Sequence, residues 1–84
     1  SSRLFGALRQ LGVTCDEFHT NFVLARFSDE AEALSAKAAF ETDGILVRWA
    51  KGYGFPEALR ITVGDEVQTG RVIAALIQWR EGQP

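Results

Sequence analysis

The sequence predicts an α/β two-layer sandwich: a small mixed or antiparallel sheet of three to four strands, packed on one face by about three helices, in the order α-β-β-α-β-β-α. Three observations carry this prediction. Segments with apolar residues at helical spacing alternate with short runs rich in β-branched and aromatic residues, and hydrophobic periodicity is the primary sign of element type. Two of the helical segments open on an Asp followed three residues later by Glu or Gln, a pairing that satisfies the free N–H groups of a helix start. The chain has 84 residues, enough for one hydrophobic core and too few for two, so residues 1–84 are read as a single domain.

Leu4, Phe5, Ala7, Leu8 and Leu11 recur at helical spacing, and Gly12 supplies the C-terminal stop of a first helix. Val13 to Glu17 reads as a brief edge strand, and Asn21 to Phe27 as a stronger one because it is dense in strand formers. Asp29 and Glu32 open an Ala-rich helix that Gly44 closes. Ile45 to Trp49 and Leu59 to Val63 are two further strands, joined by the turn-rich segment from Lys51 to Pro56. Asp65 with Gln68 opens the last helix, whose apolar side is assigned to Val72, Ile73, Leu76, Ile77 and Trp79.

Composition excludes several function classes. Hydrophobic residues make up 46% of the chain and charged residues 24%, which argues against a disordered segment, a coiled coil or a collagen-like chain. Two Trp, six Phe and one Tyr are a large apolar load for a domain of a size that buries only about 60% of its unfolded surface. Part of that load is expected to stay uncovered. The net charge is −2 and the nine Lys and Arg are scattered, so the clustered cations that neutralise nucleic-acid phosphates are missing and no nucleic-acid partner is expected. Cys15 is the single cysteine; it allows no internal disulfide and no multi-cysteine metal site, and it fits a reducing, cytoplasmic setting. No apolar run approaches the roughly 18 residues of a membrane-spanning helix, so no membrane partner is expected. The sequence lacks Met and starts at Ser1 inside an amphipathic pattern, which reads as a piece of a longer protein.

Two arginines stand out by strand parity. Leu59, Ile61 and Val63 share one face of their strand while Arg60 and Thr62 share the other. In the preceding strand Leu46 and Arg48 lie opposite Ile45, Val47 and Trp49. If helices cover the apolar faces and the two strands are neighbours, Arg48 and Arg60 converge on the open face. Each guanidinium forks to two oxygens of a carboxylate or phosphate and keeps its charge at any working pH. Pairing of each arginine with a surface carboxylate is the other reading of the same spacing. His19 has no acidic or nucleophilic partner in the pattern, and Cys15 has no basic neighbour to activate its thiol; neither is given a role, and no metal site is expected. A Schiff base needs a lysine held beside a cofactor, but Lys37 falls on a helix face and Lys51 in a loop, where solvated charge is the usual explanation.

Four segments follow one another along nearly the whole chain: NFVL (Asn21 to Leu24), GILVR (Gly44 to Arg48), YGFP (Tyr53 to Pro56) and LRITVG (Leu59 to Gly64). In order and spacing they resemble the C-terminal small domain of histidinol-phosphate aminotransferases, which are fold-type I enzymes dependent on pyridoxal 5'-phosphate. The chain departs from that family's pattern at Phe18 and in the helix opening from Asp65 to Thr69.

The resemblance implies that Arg60 grips the anionic substrate, that Arg48 is a second anion contact, and that Asn21 either touches the ligand or shapes the turn before its strand. It also implies a role in histidine biosynthesis. The partners it implies are a large domain of the same enzyme that binds the pyridoxal phosphate, a small amino-acid or phosphate substrate, and a second subunit in a homodimer. The cofactor lysine belongs to the large domain, so neither catalytic residues nor bound pyridoxal phosphate is expected of these 84 residues alone. The same arginine pair without a catalytic lysine would also suit a freestanding module that binds an amino acid or a phosphorylated metabolite, and a purely structural interaction domain is a third reading.

Overall fold

The computed structural model describes residues 2–17 and 22–83, with side chains described for all of these except residues 2, 5 and 14–17. Eight elements run in the order α1 (Ser2–Gln10), β1 (Thr14–Glu17), β2 (Phe22–Arg26), α2 (Glu30–Thr42), β3 (Val47–Trp49), a short 3₁₀ turn (Ala50–Tyr53), β4 (Ala58–Thr62) and α3 (Glu66–Glu81). The predicted α-β-β-α-β-β-α order holds, with the 3₁₀ turn as an addition inside the β3–β4 connection. The sheet has four strands in the order β1-β2-β4-β3, and every neighbouring pair is antiparallel.

The helix starts follow the cap chemistry. Asp29 Oδ1 accepts from the Glu32 amide at 2.8 Å while Glu32 Oε1 accepts from the Ser28 amide at 3.0 Å, so side chains take over donors that the first turn leaves free. Asp65 and Gln68 repeat the device at α3: Asp65 Oδ1 accepts from the Gln68 amide at 2.8 Å, and Gln68 Oε1 from the Gly64 amide at 2.6 Å. Beyond α2, Gly44 sits at φ +72°, a left-handed conformation that costs a side-chain-bearing residue energy and costs glycine nothing sterically.

One face of the sheet carries the core. Val23, Ala25 and Phe27 from β2 and its end, Ile45 and Val47 around β3, and Leu59 and Ile61 from β4 join Leu4 and Leu8 of α1, Ala33, Ala36 and Phe40 of α2, and Val72, Ala75, Leu76 and Trp79 of α3 in one buried cluster. The alternation along β3 and β4 thus places apolar side chains toward the helices, as strand geometry requires. Trp79 ties the layers together. Its ring meets Phe27 edge-on at 5.3 Å and 87°, and its indole N–H donates to Ser35 Oγ on α2 at 2.9 Å. An aromatic buried in this way satisfies its polar handle while keeping its apolar body in the core.

One assignment on α3 is corrected. Ile77 is 40% exposed because the buried stripe runs through Thr69, Val72, Ala75, Leu76 and Trp79, and a residue one step past Leu76 is rotated about 100° off that line. Thr69, a buried polar residue, is accommodated because its hydroxyl donates to the Asp65 carbonyl at 2.9 Å.

Phe40 is fully buried at the centre of the cluster, so Phe40→Ala is expected to cost about 3–5 kcal/mol in urea unfolding, and Asp65→Ala, which removes one cap, about 1 kcal/mol. Equal losses for the two would contradict the division between core and cap described above.

Candidate functional site

The face of the sheet turned away from the helices is only partly covered. β4 lies between β2 and β3, and Arg60 stands directly opposite Leu24 on one side and Arg48 on the other. Two like charges directly opposed across an antiparallel pair repel one another, with side-chain Cβ atoms about 4.5–5.5 Å apart. A carboxylate beside them would cancel that cost. Among the described residues, ion pairs join Arg3 to Glu66, Arg26 to Glu57, Lys37 to Glu41 and Arg80 to Glu32, and none reaches Arg48 or Arg60. The sheet therefore brings the two predicted arginines together and leaves them without a described counter-ion. Arg48 is exposed and Arg60 half-buried. The Arg60 Nε–H, like that of Arg80, is buried without an acceptor among the described residues.

Beside Arg60 lies a hollow of about 270 Å³ lined by Phe22, Leu24, Tyr53, Phe55 and Arg60. Its far wall is the β3–β4 connection, which folds back onto the sheet. The 3₁₀ turn ends at Gly54 with φ +92°, a backbone conformation open to glycine. The Phe55 amide then donates to the Ala50 carbonyl at 3.1 Å, and Phe55 packs against Leu24, Ala50 and Ala58, a second and smaller apolar cluster on this side of the sheet. The Trp49 indole N–H donates to the Pro56 carbonyl at 2.8 Å, and the Phe27 amide to the Glu57 carbonyl at 2.9 Å. Arg26 lies 4.5 Å from the Phe55 ring centroid and 3.4 Å from a Glu57 carboxylate oxygen. Cation, ring and hydrogen bonds together fix the connection as a wall. Tyr53 is 66% exposed at its rim and Leu46 63% exposed beside Arg48.

The apolar wall was not legible as part of the site in the sequence. One signal was present: in β2, Phe22 and Leu24 are apolar as well as Val23 and Ala25, and a strand apolar on both faces has both faces in use. Asn21, His19 and Phe18 lie outside the described residues. Lys37 is paired with Glu41 at 2.9 Å on α2, and the Lys51 ammonium lies 5.0 Å over the Trp49 ring. Among the described residues, no group of three His, Cys, Asp or Glu is arranged to hold a metal ion, and no helix is long and apolar enough to cross a membrane.

An antiparallel sheet with helices on one face is shared with a known structure. A crystal structure of a protein from Burkholderia pseudomallei assigned as an aminotransferase superposes on 94% of this chain with a TM-score of 0.75 and 30% sequence identity, using 24% of its own length. The fold is that of a part of an aminotransferase. The sequence narrows the class: histidinol-phosphate aminotransferases of Roseobacter denitrificans and a Jannaschia species are 62% identical over 78 residues and 56% identical over 75 residues, so the chain is homologous to a segment of the histidinol-phosphate aminotransferases. It spans about a fifth of the length of these relatives, 22% and 21%. No family profile matches it.

The Trp49 indole donates the one side-chain hydrogen bond to a backbone carbonyl of the connection among the described residues. Replacing it by Trp49→Phe is expected to destabilise the protein by about 1 kcal/mol and to speed amide exchange at Phe55 and Ala58. Unchanged exchange at those two amides would show that the backbone bonds hold the wall without the indole.

Proposed function

We propose that this chain is the C-terminal small domain of a pyridoxal-phosphate-dependent aminotransferase acting on histidinol phosphate, in which Arg60 and Arg48 hold the anionic end of the substrate. The observation that carries the reading is the cross-strand pairing of Arg48 with Arg60 in a setting where every described carboxylate partner goes to another cation. A doubly charged phosphate offers each guanidinium a pair of oxygens and relieves their mutual repulsion in the same step. The high identity to histidinol-phosphate aminotransferases over 93% of the chain supports the substrate class.

Neither Lys37 nor Lys51 suits the cofactor's Schiff base, so the lysine, and with it the cofactor site, is assigned to a large domain that this sheet would face. Pyridoxal phosphate supplies the electron sink there. The contribution of this domain is orientation: with the anion clamped at two points, the rest of the substrate is held at a fixed height and angle over the facing surface, which removes rotational freedom ahead of the reaction. The apolar lining of the hollow beside Arg60 lowers the polarity on one side of the clamp, where a charge pair is stronger than in bulk water. On this reading the working protein is a cytoplasmic homodimer with its catalytic groups outside these 84 residues, and the 84-residue chain alone is inactive.

In the intact enzyme Arg60→Ala is expected to lower kcat/KM for histidinol phosphate roughly 10- to 100-fold, the worth of hydrogen bonds to a charged group, while the cofactor absorbance stays as in the wild type. Steady-state kinetics with parallel spectra check this. A variant with unaltered kinetics, or a cofactor spectrum from the 84-residue chain by itself, would count against the assignment.

A further inference from the structure

Three arginines lie over aromatic rings on or near the sheet and α3: Arg26 over Phe55 at 4.5 Å, Arg60 over Phe22 at 4.8 Å and Arg80 over Trp79 at 4.6 Å. Two of them also have a carboxylate, Glu57 for Arg26 at 3.4 Å and Glu32 for Arg80 at 3.5 Å. Arg60 has the ring without an acid among the described residues. That difference falls at the one arginine of the three that stands opposite another arginine. A carboxylate would fix the guanidinium equally well, but it would occupy the N–H groups and cancel the charge that an incoming anion needs. An aromatic face fixes it through the ring quadrupole and leaves the N–H edges free.

The placement of Phe22 follows from register. Phe22 pairs with Thr62 and Leu24 with Arg60, so Phe22 shares the uncovered face with Arg60 and lies diagonal to it, within reach of a long side chain. It is half-buried and forms one wall of the hollow, with Leu24, Tyr53 and Phe55. The guanidinium is thus held against the repulsion of Arg48 by a neutral platform.

We propose that Phe22 is a positioning residue for anion binding: its ring holds the Arg60 guanidinium in the binding pose without taking up its donors or its charge. The proposal rests on the reading of Arg60 as the anion grip and adds to it the means by which that grip is set in advance. Orienting the side chain before the substrate arrives lowers the entropic cost of binding. The effect therefore falls on KM and spares kcat, unlike that of a group acting on the reacting atoms.

The test is steady-state kinetics of the intact enzyme with histidinol phosphate, comparing Phe22→Leu, which keeps apolar bulk and loses the ring, with Phe22→Tyr, which keeps the ring. Phe22→Leu is expected to raise KM about 3- to 20-fold, the range of a partly desolvated cation–π contact, with kcat and the cofactor spectrum within twofold of wild type. Phe22→Tyr is expected to restore KM to within twofold. Phe22→Met serves in the same comparison if the leucine variant does not yield folded enzyme. The proposal is overturned if the ringless variant has wild-type KM, or if Phe22→Tyr is as impaired as Phe22→Leu, while Arg60→Ala still raises KM. If Arg60→Ala also leaves KM unchanged, it is the assignment of the arginine pair that fails.

Discussion

The hydrogen bonding of β4 on both edges is the constraint from which the rest of the architecture follows. With β2 on one side and β3 on the other, the strand can send Leu59 and Ile61 into the core, both fully buried, only by sending Arg60 and Thr62 to the opposite face. The three helices all draw on the first face, because Leu4, Phe40 and Leu76 meet the strand residues in one cluster. The second face is left for charge. A cation in the middle strand of a sheet covered on both sides would be buried at a cost of several kcal/mol; here it stays within reach of water and of an anion.

Within that frame the two faces are stabilised by different means. The helix face relies on apolar burial and on a few satisfied polar groups, Thr69 on the Asp65 carbonyl and Trp79 on Ser35. The site face has only a small apolar cluster, and its order comes from local clasps: the Trp49 and Phe27 hydrogen bonds to the connection and the stacking of Arg26 on Phe55. Such clasps are individually worth about 0.5–2 kcal/mol. They restrict movement at the rim of the hollow without making it part of the core.

The parts of this arrangement that depend on short-range chemistry were legible in the amino-acid order. Asp29 with Glu32 and Asp65 with Gln68 mark helix starts through bonds between residues three apart, and the structure has those bonds. Parity within Ile45 to Trp49 and Leu59 to Val63 separates arginines from aliphatics, and the register sets Arg48 opposite Arg60. What the sequence did not disclose depends on the chain returning on itself. Phe55 reaches Leu24 and Arg26 across some thirty positions, and nothing in a turn-rich Gly-Tyr-Gly-Phe-Pro segment specifies which side of the sheet it will cover. Ile77 was misplaced for a different reason: it fits a generous apolar stripe on α3 and misses the narrower one that α1 and α2 leave available.

The connection from Ala50 to Glu57 holds one more consequence, which concerns length. Surface loops tolerate insertions well in energetic terms, since doubling a flexible loop costs only about 0.6 kcal/mol in closure entropy. This one is a spacer of fixed gauge. The Trp49 to Pro56 clasp and the Phe55 to Ala50 bond measure out the distance that puts position 48 beside position 60. A slip of one residue between β3 and β4 would exchange Arg48 for Val47 on the open face. The segment is thus a ruler as well as a wall, and its residue count is tied to the charge pattern that the sheet displays.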